Sequence, residues 1–159
     1  MKKNIICIFL IGILVGCSEQ TVTEENWEVS PTFTIKSGDR ERELRGYKSE
    51  VAFLDTMDFL VDKAGKTRWF FWGEELEEVN EEHFKLIGIH KNTGEEKTLI
   101  DSKGWEVVSQ NYKETGIKGV LGAQSSQHTM FTLPTAGLWR LNAYISDKLY
   151  GSIVVEVEE

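Results

Sequence analysis

From Leu138 to Ile145 the chain alternates. Trp139, Leu141, Ala143 and Ile145 take one set of alternate positions, and Leu138, Arg140, Asn142 and Tyr144 take the other. Successive side chains of a strand point to opposite faces, so this period of two marks a half-buried β-strand. Ser146-Asp147-Lys148 supply turn chemistry. A second strand follows over Leu149–Val157, with Ile153, Val155 and Val157 on one face and Ser152 and Glu156 on the other. The two strands form a β-hairpin that ends the fold.

Further strands are expected at Thr32–Ile35, Glu43–Tyr47, Glu50–Leu54 and Arg68–Trp72, then at Phe84–His90, Lys97–Ile100 and His128–Leu133. Asn92-Thr93-Gly94 fits a hairpin turn between two of them. Many short strands, with no sustained apolar period of a helix, argue for an all-β sandwich. Trp105–Tyr112 reads as a strand or a helical turn, and Glu74–Phe84 has room for a short helix.

The first residues are of another kind. Lys2 and Lys3 form a basic head, Ile5–Val15 is almost wholly apolar, and Leu14-Val15-Gly16-Cys17 closes the run. That order is signal-peptide anatomy, and its last four residues resemble a lipobox, the processing site of bacterial lipoproteins. A membrane-spanning helix needs roughly 20 apolar residues, more than this run contains. Residues 1–16 are therefore read as a lipoprotein signal peptide, with Cys17 as the lipidation site. Residues 17–26 hold the lipidated cysteine and a polar, flexible tether, and residues 27–159 hold the domain. The expected location is the extracytoplasmic face of the cell membrane, with bilayer lipid as a partner through acylated Cys17.

Of the 2 cysteines, Cys7 leaves with the signal and Cys17 takes the lipid. No internal disulfide can form, so the domain stands on packing alone. The formal net charge is −8, and losing Lys2 and Lys3 makes the remainder more acidic. Such a balance disfavours nucleic acid and bare anionic lipid as partners, and it suits solubility after export.

Several stretches carry a family likeness. Phe131–Tyr144, with Pro134 and the Gly137-Leu138-Trp139 step, and then Leu149–Val157 resemble the last two strands of exported immunoglobulin-like modules. With Ser30-Pro31-Thr32-Phe33 and Trp69-Phe70-Phe71-Trp72-Gly73, the chain resembles a family of small, bacillus-like Gram-positive lipoproteins of unknown function. The resemblance implies an immunoglobulin-like antiparallel β-sandwich. It brings no catalytic residue with it, and fold alone does not confer function.

Arg68-Trp69-Phe70-Phe71-Trp72 is the most unusual local feature. On a strand, Trp69 and Phe71 point one way, and Phe70 and Trp72 the other. One pair packs in the core. The other is covered by a loop, such as the one carrying Trp105, or stands exposed as a platform for sugar rings or a partner surface. Core filling is the commoner use of large aromatics. The platform reading makes Trp69, Phe71, Trp72 and Trp105 the candidate binding residues.

Other clusters read as structural. Glu74, Glu75, Glu77, Glu78, Glu81 and Glu82 lack the Asp/Asn alternation and central glycine of a calcium loop. Asp55, Asp58 and Asp62 share a loop and suit turns and caps. His83, His90 and His128 show no zinc-ligand spacing, and Ser125-Ser126 beside His128 lack the Gly-x-Ser-x-Gly frame. Gly116–Gly122 has no Gly-Lys-Ser/Thr ending and does not read as a phosphate cradle, while polar Ala123–His128 reads as a long loop. No catalytic residue, metal site or cofactor is expected. The function expected is a non-catalytic binding module of the envelope, acting on a cell-wall polymer or an envelope protein. The alternatives are an accessory or structural subunit of a membrane or exported complex, and an envelope hydrolase.

Overall fold

The computed structural model describes residues 26–73, 76, 83–103, 106–107 and 120–159. The signal segment, Cys17, most of the tether, Trp105 and nearly all of the acidic run after Gly73 lie outside the described residues. Among the described residues ten strands are found: β1 (Thr32–Ser37), β2 (Arg40–Tyr47), β3 (Val51–Leu54), β4 (Gly65–Phe71), β5 (His83–His90), β6 (Glu96–Lys103), β7 (Glu106–Val107), β8 (Ser125–Phe131), β9 (Gly137–Ile145) and β10 (Lys148–Val157). They form a six-stranded sheet in the order β1-β2-β3-β4-β8-β7 and a four-stranded sheet in the order β10-β9-β5-β6. All ladder pairings are antiparallel. Among the described residues no helix is long and apolar enough to cross a membrane.

The strand orders identify the architecture. In an immunoglobulin sandwich one sheet runs A-B-E-D and the other carries G-F-C. Here β3-β4-β8-β7 take the first order and β10-β9-β5 the second. β6 extends the second sheet beyond β5, and the β1–β2 hairpin extends the first beyond β3. The fold is an immunoglobulin-like sandwich with an added hairpin, as the sequence pattern leads one to expect.

Between the sheets lies one core. Val51, Phe53, Trp69 and Phe71 from the larger sheet meet Phe84, Leu86, Trp139, Leu141, Ile153 and Val155 from the smaller. The β9 face read from its alternation is the buried one, since Trp139, Leu141, Ala143 and Ile145 are all sequestered. Its opposite face also buries Asn142, whose Oδ1 accepts a hydrogen bond from Ser152 Oγ at 2.8 Å. Trp139 Nε1 donates to Thr135 O at 2.9 Å, and the ring lies against His90. The hairpin turn after β5 is where the sequence puts it: His90 O accepts from Gly94 N at 2.9 Å, with Gly94 at φ 67°.

One expectation is corrected. Ala123–His128 is not a long loop, because β8 begins at Ser125 and pairs with β4 along its whole length. Its polar residues mislead because their partners lie on the neighbouring strand: Ser125 and Ser126 are fully buried, and Ser126 Oγ accepts from Arg68 Nε at 3.0 Å and Nη2 at 2.6 Å.

Candidate functional site

Register settles which way each side chain of the larger sheet points. Phe53, Trp69 and Gln127 are cross-strand neighbours and face the smaller sheet. Ala52, Phe70 and Ser126 are also neighbours and face away from it. By the alternation of strands, Arg42 and Leu44 on β2, Lys66 and Arg68 on β4, and His128 and Met130 on β8 share this outer face.

The outer face carries a second, small apolar cluster. Leu44, Ala52, Phe70 and Ala123 are buried there, with Phe33, Ile35, Leu54, Trp72 and Leu121 packed against them. A short 3-10 turn at Val120–Gly122 brings Leu121 over the sheet. Leu121 itself adopts φ 57°, a left-handed conformation that a branched side chain rarely takes. Gln124 ties the turn down, its Oε1 accepting from Gly73 N at 3.1 Å.

The aromatic strand is therefore buried on both sides. Trp69 and Phe71 are fully sequestered in the inter-sheet core, stacked on each other at 6.3 Å. Neither presents a surface for binding, which corrects the platform reading at these two positions. Phe70 is covered by the 121–123 segment; Trp105, the other covering candidate, lies outside the described residues. Trp72 is half-buried and reaches a surface recess, while its carbonyl accepts from Tyr150 Oη of the opposite sheet at 2.6 Å.

Next to the outer cluster the face opens into a concavity of about 430 Å³. Arg42, Lys66, Arg68 and His128 line its walls, and Leu54, Phe70 and Leu121 supply its apolar surfaces. No acidic side chain lines it among the described residues. Arg68 is held in place by Ser126, and its guanidinium lies 6.0 Å from the Phe70 ring centre. Among the described residues neither Arg42 nor Lys66 has an ion-pair partner. Across Leu121 lies a second recess of about 350 Å³, lined by Trp72, Lys48 and Lys36, the last of which is paired with its cross-strand neighbour Glu41 at 3.4 Å. The two recesses share Leu121 and make one cationic tract on a chain of net negative charge.

Sequence reasoning missed this tract. Its cations are scattered from Arg42 to His128, and only the folded sheet collects them. The one signal available was Lys66-x-Arg68 beside Arg68-Trp69-Phe70, two cations on the same strand face.

A further concavity, about 560 Å³, opens at one end of the sandwich. It is lined by Asp55, Asp58, Glu156 and Glu158 with Met57 and Phe59, and Arg45, its one cation among the described residues, is committed to Asp55. Asp55 thus serves in an ion pair, and Lys63 approaches Asp58 at 3.9 Å. Of the histidines, His83 pairs with Asp101, and His90 contacts Thr93 Oγ1 at 2.9 Å and Ala136 O at 3.1 Å. No cluster of metal-ligating side chains is present among the described residues.

Fold and surface together define an immunoglobulin-like sandwich with a cationic outer face. The chain belongs to the family described as domain of unknown function DUF4871, whose model matches residues 18–155. No curated protein matches it. Among solved structures, a "Putative Lipoprotein from Bacillus anthracis" superposes with a TM-score of 0.57 at 22% identity, over 84% of this chain and 87% of that one, which shows a shared fold. An immunoglobulin-like protein from Pseudomonas aeruginosa aligns over 80% of this chain and 90% of its own, at 16% identity and a TM-score of 0.31.

Proposed function

We propose that this protein is a lipid-anchored, non-catalytic binding module of the cell envelope. Cys17 carries the acyl chains, the polar residues after it form a tether, and the sandwich presents the outer face of its larger sheet to a ligand. The observation that carries this reading is the gathering of Arg42, Lys66, Arg68 and His128 around one open recess. Strand pleating holds these positions, and Ser126 holds Arg68 further. A surface organised before binding loses less entropy when the ligand arrives. Complementary charge adds specificity and speeds encounter. The basic head, the apolar run and Leu14–Cys17 support the anchor. Two or more acyl chains hold a protein durably on a bilayer and keep the module near envelope ligands.

The test is co-sedimentation of the full-length lipidated protein, in mild detergent, with purified cell-wall sacculi. Saturable retention that is lost in R42Q/K66Q supports the reading, and the absence of retention opposes it. Membrane fractionation of Cys17→Ser tests the anchor, since the variant is expected to leave the membrane fraction.

A second reading, an accessory subunit of an envelope complex, is favoured by β6. Among the described residues this strand pairs only with β5 and ends its sheet, so its outer edge can accept a partner strand. Crosslinking in native membranes that yields one stoichiometric protein partner on β6 would support it.

A further inference from the structure

We infer that the cationic tract on the outer face binds a flexible polyanion with a phosphodiester backbone, laid as a strand across β2, β4 and β8. This rests on the binding-module reading above and names the class of its ligand.

Spacing comes first. Lys66 and Arg68 are two residues apart on one strand, so their Cα atoms are about 6.6 Å apart. Arg42 lies two strands away, a further step of about 9.6 Å across the sheet. Lys48 continues the positive charge beyond Leu121, while Lys36 is paired with Glu41 at 3.4 Å. Charges so spread match an anion that repeats along a chain. A single small anion engages one or two of them and leaves the others unmatched.

Shape decides between a chain and a flat membrane. Arg68 is partly buried, fixed at the wall of a recess, with Phe70 and Leu121 beside it. A bilayer surface meets the rim of such a recess, where Lys66 and Met130 stand, and not the guanidinium inside. A thin, flexible strand reaches both. The apolar wall also suits the methylene carbons between the phosphates of a polyol phosphate. A phosphodiester carries its charge in the strand itself, whereas a carboxylate polymer must also order the side chain that bears it, which favours phosphate at Arg42 and Lys66.

The net charge of −8 does not oppose this. Charges beyond about 8 Å are largely screened at physiological salt. What the ligand meets is the local field, and no acid lines either recess among the described residues.

The experiment uses the full-length protein in neutral detergent. Its probes are a poly(glycerol phosphate) chain, poly-glutamate, phosphatidylglycerol vesicles, and sacculi with and without their phosphate polymers. The expected result is saturable binding of poly(glycerol phosphate), weakened at least about tenfold in R42Q/K66Q and more modestly in K48Q, with thermal unfolding unchanged. The slope of log affinity against log salt should fall by about 0.7 for each phosphate contact removed. Poly-glutamate bound as tightly as the phosphate chain would overturn the phosphate assignment. Variant-sensitive binding that is tighter to vesicles than to the chain would overturn the strand in favour of a bilayer. Poly(glycerol phosphate) left unbound, or bound equally by R42Q/K66Q, would overturn the inference outright. Retention on phosphate-free sacculi with no response to phosphate polymer would sink this inference and leave the binding module standing. Loss of both sinks both.

Discussion

Arg45 grips Asp55 with two parallel hydrogen bonds, Nε to Oδ1 at 3.2 Å and Nη2 to Oδ2 at 2.7 Å. The same guanidinium donates from Nη1 to Ser30 O at 3.0 Å. Ser30 in turn pairs with Val154 in both directions, its N donating to Val154 O and its Oγ accepting from Val154 N, each at 2.9 Å. One side chain thus links β2, the loop after β3 and the segment that closes the edge of β10. Both partners of the ion pair are mostly buried, at 22% and 14% side-chain exposure. Removing either leaves a poorly hydrated charge without its mate. Asp55→Ala is expected to lower unfolding free energy by about 2 kcal/mol, and Arg45→Ala by somewhat more, since it also strands the Ser30 carbonyl. A double-mutant cycle in urea should return a coupling of at least about 1 kcal/mol. A coupling near zero would show the pair to be incidental.

Gly46 shows how closely β2 and β3 pack. It sits at φ 130°, and a Cβ there would fall on the Val51 carbonyl oxygen. Its N also donates to Pro31 O at 2.8 Å, so the backbone cannot easily swing away. Gly46→Ala is expected to destabilise by at least about 2 kcal/mol, combining backbone strain with a backbone clash. Gly94→Ala is the control. Its φ of 67° is strained too, but a Cβ there meets nothing, so the loss should be nearer 1 kcal/mol, about the ordinary strain of a left-handed residue. Equal losses at the two sites would remove the packing argument.

What the sequence made legible follows from period. β9 and β10 each bury one face, and their alternation states which one. The other strands were visible as short apolar runs between turns, except β7, whose segment reads equally as a strand or a helical turn. β8 was not visible at its start, because Ser125 and Ser126 look like loop residues until Arg68 is placed beside them. The cationic tract was hidden for the same reason. Arg42, Lys66, Arg68 and His128 belong to three strands, and nothing local says that β2, β4 and β8 share a face. The net charge of the chain pointed the other way, since a sum over residues carries no information about where they gather.

The aromatic strand makes a sharp prediction because it has two buried faces. Trp69 fills the inter-sheet core against Phe53 and Phe71, and Phe70 fills the outer cluster under Leu121 and Ala123. A half-exposed strand tolerates truncation on one side. Here Trp69→Ala and Phe70→Ala are each expected to cost about 3–5 kcal/mol, measured by urea unfolding of the full chain. A loss under about 1 kcal/mol at Phe70 would mean that the 121–123 segment does not cover it in solution.

Thr129 allows the opposite sign. Its hydroxyl is buried in β8, on the face toward the other sheet, and makes no hydrogen bond with the described residues. Its cross-strand neighbour Thr67 gives its own hydroxyl to Leu54 O at 2.7 Å, so the two threonines do not satisfy each other. A buried hydroxyl without a partner costs about 1–3 kcal/mol of lost hydration. Valine has the same branched shape and the higher strand preference, and it carries no polar atom to desolvate. Thr129→Val is therefore expected to leave the melting temperature unchanged or raise it by a few degrees, while Thr67→Val, which gives up a real bond, lowers it. Differential scanning calorimetry on the pair decides the matter. A clear drop for Thr129→Val would reveal that its hydroxyl serves a partner, and would make the inner face of β8 part of a site rather than core alone.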